Sequence, residues 1–166
     1  MDAANQINIQ IADYSSVKDA EAVVDLMNHY ALDKMGGGEA LSESVKASLV
    51  PGLANVAGAF SVLAFVDGNP AGLINCFMGF STFKAKPLIN IHDVIVLEDF
   101  RGLKLSQMML EKVQVIAKER GCCKLTLEVL QGNKVAQSAY IKFGFGGYAL
   151  DPEMGNAMFW QKALKD

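Results

Sequence analysis

The stretch that decides the fold runs from Ile91 to Leu110 and reads IHDVIVLEDFRGLKLSQMML. Its first half completes a strand, residues 88–97, LINIHDVIVL. Both faces of that strand are apolar except at Asn90, His92 and Asp93, the pattern of a central strand covered on both sides. Glu98-Asp99-Phe100-Arg101-Gly102 then breaks the period. From Leu105 the period is helical, with Leu105, Met108, Met109, Val113, Ile116 and Ala117 on one face and Gly121 as the stop. A strand that feeds a helix through a short loop aims the helix's unpaired N–H groups and positive dipole end at the space above the sheet. That is a place for phosphate groups. A glycine in such a turn also has a purely conformational use, so the turn alone does not decide between the two.

Working outward, residues 59–66 (AFSVLAFV) and 71–80 (AGLINCFMGF) are β-prone, and Asp67-Gly68-Asn69-Pro70 between them is a hairpin signal. Residues 7–13 alternate as a first strand. Ser16 and Asp19 have capping-box spacing. The helix they open carries Val17, Ala20, Val24, Met27 and Ala31 on one face and stops near Met35, before Gly36-Gly37-Gly38. Residues 42–50 form a short second helix that Pro51-Gly52 ends. Downstream, 123–130 (CKLTLEVL) alternates again. Asn133 caps a helix bearing Ala136, Ala139, Tyr140 and Phe143, and Gly144 stops it. Segments 145–150 and 157–163 read as closing strands. The expected order is β-α-α-β-β-β-α-β-α-β-β, a mixed α/β sandwich forming one domain over residues 1–166.

Composition narrows the function. The chain has 166 residues, 51% apolar and 20% charged, with net charge −3. No block of like charges occurs, so neither a nucleic-acid footprint nor an anionic-membrane patch is expected. Cys76, Cys122 and Cys123 are odd in number and lack metal-ligand spacing, which argues against a disulfide framework and against a metal site. They fit buried thiols of a reducing compartment. No secretory leader or membrane-spanning run is visible, and the expectation is a cytoplasmic protein.

The segments IHDVIVLEDFRGLKLSQMML and LTLEVLQGNKVAQSAYIKFGF together resemble the GNAT acetyltransferase family. The shared pattern is a strand ending in Val, a loop ending in aromatic-Arg-Gly, a pyrophosphate turn and a later Asn…Ala…Tyr…Gly-Phe helix. Within the family the run is similar to the polyamine and small-amine enzymes. The resemblance implies a mostly antiparallel sheet, splayed at its fourth strand, with helices on both faces. It implies acetyl-CoA as co-substrate in the gap, a small primary amine as acceptor, direct attack in a ternary complex, and a homodimer. Backbone groups of Val94, Ile95 and Val96 would pair with the pantetheine arm. Arg101, Gly102, Leu103, Lys104, Leu105, Ser106 and Gln107 would wrap the pyrophosphate. Asn133 and Ala136 would hold the far side, with Tyr140 near the sulfur. The first two helices and the Gly36–Gly38 loop, with His29, Tyr30 and Glu39, would wall the acceptor.

Aminolysis of a thioester needs a neutral amine, a stabilised oxyanion and a protonated leaving group. Backbone N–H groups can supply the second and a tyrosine hydroxyl the third. Tyr140 has that role by resemblance; packing on an amphipathic helix is its other reading. Strict alternation puts His92 on the face of Val94 and Val96, with Asp93 on the other. An imidazole is a suitable proton acceptor at neutral pH, whereas the polyamine enzymes carry an acidic residue here. A hydrogen-bonded structural histidine is the alternative, and Glu128 is a second candidate base. Lys104 departs from the family's small residues. It is strained if its φ is positive, or it meets the pyrophosphate as a point charge. Two further functions stand beside the enzyme: a silent acyl-CoA-sensing domain of the same fold, and a partner-binding α/β domain.

Overall fold

Asp67 and Gly68 both take positive φ, 49° and 80°, as the two central positions of a type I′ turn require. They fold β2 (Phe60–Val66) back on β3 (Asn69–Ser81), with Val66 opposite Asn69. The computed structural model describes residues 5–149 and 151–164. Around this hairpin lies a five-stranded sheet in the order β1-β2-β3-β4-β5, with β1 Ile7–Ile11, β4 Lys86–Val96 and β5 Leu125–Leu127. The first three pairings are antiparallel and β4–β5 is parallel. The chain divides into two compact units, Met1–Leu130 and Gln131–Asp166. The sheet lies in the first.

Two layers of helix cover the sheet. On one face α1 (Val17–Leu32) and α2 (Glu43–Asn55) bury Ala22, Val23, Leu26, Val50 and Leu53 against Leu63, Phe65, Leu73 and Ile95. On the other lies α3 (Leu105–Glu119), which buries Leu105, Met109, Leu110, Val113, Ile116 and Ala117. The alternation of β3 shows both layers: Leu73 enters the α1 cluster, while a Cβ on Gly72 would meet Met109 Cε at 2.8 Å. Glycine there lets α3 approach the sheet closely.

Several expectations are corrected. The buried stripe of α1 is turned by about one position: Val17 is exposed, while Asp19, Ala22, Val23 and Leu26 are buried. Asp19 is drawn inward because its carboxylate accepts from the Asp13 N–H at 2.9 Å and from Gln10 Nε2 at 3.0 Å. The capping box is therefore half made. Ser16 Oγ accepts from the Asp19 N–H, but the Ser16 N–H goes to the Asp13 carbonyl. Pro51 does not end α2, which runs on to Asn55 because Val50 and Leu53 are anchored in the core. Packing there outweighs the lost backbone bond. α1 stops at Leu32, and β5 keeps three of its eight expected residues.

In the second unit, Asn133 Oδ1 caps α4 (Lys134–Phe143) by accepting from the Ala136 N–H at 3.1 Å, and Gly144 ends the helix at φ 109°. Tyr140 and Phe145 meet edge to face at 5.9 Å. The two closing strands are absent among the described residues; Leu150 lies outside them. Residues 146–149 and 151–164 are exposed, and the Ala157 N–H donates to Tyr148 O at 3.3 Å between the two segments. Strand propensity without a partner surface does not make a strand.

Candidate active site

The site begins with an irregularity in β4. Ile91 pairs with Cys76 of β3, but Asp93 pairs with Asn75. One residue on β3 is therefore matched by two on β4, a β-bulge with His92 as the extra residue. Paired residues share a face, so the bulge inverts the alternation between Ile91 and Asp93. Val94 and Val96, paired with Ile74 and Gly72, lie on the α3 side; Asp93 and Ile95, paired with Asn75 and Leu73, lie on the α1 side. The His92 ring meets Phe77 edge to face at 5.4 Å, and Phe77 packs against the α1 cluster. His92 is thus not on the face of Val94 and Val96, and Asp93 does not point away from it. The two share the α1 face.

The strand also loses its neighbour here. The β4–β5 pairing covers Ile89, Ile91 and the residue between them, against Leu125–Leu127, and β4 then runs on to Val96. Past Leu127 the chain leaves the sheet, and Glu128 is exposed there. The backbone of Val94, Ile95 and Val96 consequently lies along a sheet edge. The Ile95 side chain is in the core, so only its backbone is available to a ligand.

Beyond β4, a single 3₁₀ turn, Glu98–Phe100, leads to Arg101 and Gly102. Gly102 has φ 87° and Lys104 φ 59° with ψ 25°, so the left-handed conformation that strains a Lys is present. Lys104 is the N-cap of α3 and makes no side-chain capping bond. The Met108 N–H is bonded to the Lys104 carbonyl. The N–H groups of Leu105, Ser106 and Gln107 precede it in the first turn, where a helix offers them no partner. A first turn of this kind is made of backbone donors and suits an anion. The Leu105 side chain is buried, Gln107 Nε2 donates to Glu111 at 2.9 Å, and Arg101 lies 3.7 Å from Glu98 in an exposed pair.

On the α1 side the polar groups form a line. Tyr14 Oη and Ser61 Oγ are 2.8 Å apart, Ser61 Oγ donates to Asn75 Oδ1 at 2.6 Å, and Asn75 Nδ2 donates to Asp93 Oδ2 at 3.0 Å. Burial and, after it, the Asp93 and Asp33 charges raise the Tyr30 phenol above its ordinary value. Burial likewise raises Tyr14, against the lowering effect of its Ser61 bond. Burial also pushes the Cys76 thiol up to about 12, which makes it an inert packing group. The sequence reading turned Asp93 away from His92 and missed Asn75, Ser61 and Tyr14. A signal existed: Ser61 and Asn75 are polar residues inside two apolar strands that one hairpin joins. Asn133, Ala136 and Tyr140 lie in the second unit, half-buried on one face of α4.

Residues 24–145 match the Acetyltransferase (GNAT) family. A thialysine N-epsilon-acetyltransferase of Bos taurus is 32% identical over 68 residues, 41% of this chain; the chain spans 39% of the length of that curated relative. An aminoglycoside N-acetyltransferase solved in complex with CoA is similar in fold, with TM-score 0.75 at 14% identity over 98% of both chains. A possible acetyltransferase from Clostridium difficile 630 has TM-score 0.76 at 16% identity, over 96% of this chain and 99% of that one.

Proposed function

We propose that this chain, which belongs to the GNAT acetyltransferase family, moves an acetyl group from acetyl-CoA to the primary amine of a small molecule. The observation that carries the reading is the free edge of β4 beyond Ile91, set between a turn of bare N–H groups and a polar α1 face. These features fit the co-substrate. The Arg101–Gln107 turn suits a pyrophosphate, and the edge at Val94, Ile95 and Val96 suits an extended, amide-bearing arm. Acetyl-CoA, when bound, supplies an activated acyl carbon and a thiolate leaving group.

The chain's own residues supply the rest. His92 takes a proton from the attacking ammonium, so that nitrogen arrives with a free lone pair. A β4 backbone N–H stabilises the charge that develops on the carbonyl oxygen. Tyr140 is proposed as the acid that protonates the departing sulfur, and Asn133 and Ala136 as further binding positions; these roles rest on the family resemblance. The acceptor meets the α1 side, where Asp93 offers a carboxylate to a cationic amine. The named substrate of the Bos taurus relative, a lysine-like amine, supports a small cationic acceptor. A homodimer in the cytoplasm completes the proposal, and exposed Met154, Met158, Phe159 and Trp160 support the self-association.

Two measurements test it. Acetyl-CoA at 100 times its Kd should stabilise the protein by about 2.7 kcal/mol, read as a melting shift. An amine panel assayed by thiol release should then show turnover, and Tyr140→Phe should lower kcat by roughly 10²–10⁴ with the melting shift retained. No shift at millimolar acetyl-CoA sinks the reading. Binding without turnover for any amine would make the chain an acyl-CoA sensor instead.

A further inference from the structure

Behind Asp93 stands a line of buried and half-buried polar groups that the reaction just described leaves unused. Ser61 is 0% and Asn75 2% exposed, each flanked by apolar neighbours in its strand. The bonds along this line have a direction. A carboxylate only accepts, so the amide nitrogen of Asn75 is what faces Asp93. Asn75 Oδ1 is then the acceptor for the Ser61 hydroxyl. That donation uses Ser61's single proton, so the Tyr14 hydroxyl donates to Ser61. Every proton in the line points toward Asp93. The same Asn75 nitrogen lies 3.2 Å from Met27 Sδ, a second contact that fixes the amide plane. The bulge at His92 brings Asp93 to this face, and simple alternation would have sent it to the α3 side. Asp93 Oδ2 is held by Asn75, while Oδ1 makes no hydrogen bond among the described residues.

We propose that Asn75, backed by Ser61 and Tyr14, is the positioning residue of the acceptor side: it holds Asp93 Oδ2 so that Oδ1 is presented to the acceptor's nitrogen. The proposal rests on the acyl-transfer reading above and deepens it. Aligned donors polarise one another, so each step in the line sharpens the next. A line that merely tied three strands together would alter stability and treat both substrates alike.

The test is a graded series, Asn75→Leu, Ser61→Ala and Tyr14→Phe, with KM and kcat measured for acetyl-CoA and for the best amine of the panel. Asn75→Leu should raise the amine KM roughly tenfold, for the loss of a charge-assisted bond. Ser61→Ala should raise it about threefold and Tyr14→Phe less, while the acetyl-CoA KM stays within about twofold. The two one-atom deletions keep the series informative if Asn75→Leu does not fold. An arm independent of turnover uses n-butylammonium as probe. Its addition should shift the Asn75 side-chain amide signals in the nuclear magnetic resonance spectrum, and Asp93→Asn should abolish the shift. Equal changes in both KM values, an ungraded series, or no amide shift in the wild type overturns the proposal. Failure of the acyl-transfer reading is visible separately, as no acetyl-CoA melting shift in the wild type.

Discussion

The two flanks of the open end of β4 are built from different materials. On the α1 side the proposed chemistry rests on side chains: His92 against the Phe77 ring, Asp93, and the Asn75–Ser61–Tyr14 line hydrogen-bonded behind it. At the turn into α3 it is carried by backbone: an uncapped helix start, Gly102 and Lys104 at positive φ, and side chains that point into the core or are exposed. On the proposed reading the difference follows the ligands. A pyrophosphate is the same in every acyl-CoA and needs only N–H groups and positive charge. An acceptor amine must be told from other amines, which needs positioned side chains.

Substitutions can break or sharpen that contrast. The largest effect belongs to His92→Ala, which should lower kcat by roughly 10²–10⁴ with the acetyl-CoA melting shift retained. An unchanged kcat would leave His92 only a packing partner of Phe77. Next comes Asp93→Asn, expected to cut kcat/KM for the amine about 100-fold with the acetyl-CoA melting shift unchanged. Loss of that shift as well would mean the two flanks are not separable. Lys104→Gly works on the other flank. Relief of left-handed strain should stabilise the free protein by about 1–2 kcal/mol. Removal of the ammonium should weaken acetyl-CoA several-fold, less so for phosphate-free pantetheine analogues and at high salt. Titration of wild type and variant against that series decides it, and equal or tighter binding would leave Lys104 only a strained residue facing solvent. The smallest effect is expected of Ser106→Ala, under about threefold in acetyl-CoA affinity, because backbone carries that flank. A larger loss would show the hydroxyl to be a ligand.

How much of this was legible in the sequence differs by element. The Asp67-Gly68 hairpin, the α3 stripe, the Asn133 cap and the mixed α/β class were readable, because each is fixed by local chemistry. The end of α2 was not, since continuation past Pro51 depends on Val50 and Leu53 meeting the core. Nor was the absence of the two closing strands among the described residues, since pairing needs a neighbour that no single strand encodes. In the site, His92 and the turn stood out as an ionisable residue in an apolar strand and as a loop–helix junction. Asp93 was placed on the wrong face because alternation was counted straight through a bulge. The bulge exists only in the register of two strands, β3 against β4.

That bulge acts like a change of reading frame in space. Up to Ile91 an odd number in β4 faces α3; from Asp93 onward an odd number faces α1. Drawing His92 into the ladder opposite Asn75, with no residue removed, would leave the sequence intact yet exchange every downstream face, turning Val94 toward α1 and Ile95 toward α3. Comparison of this strand with a bulge-free one, residue by residue, would therefore pair every position after 92 with a residue of opposite orientation. Redesign of the acceptor face has to begin by keeping that extra residue out of the ladder.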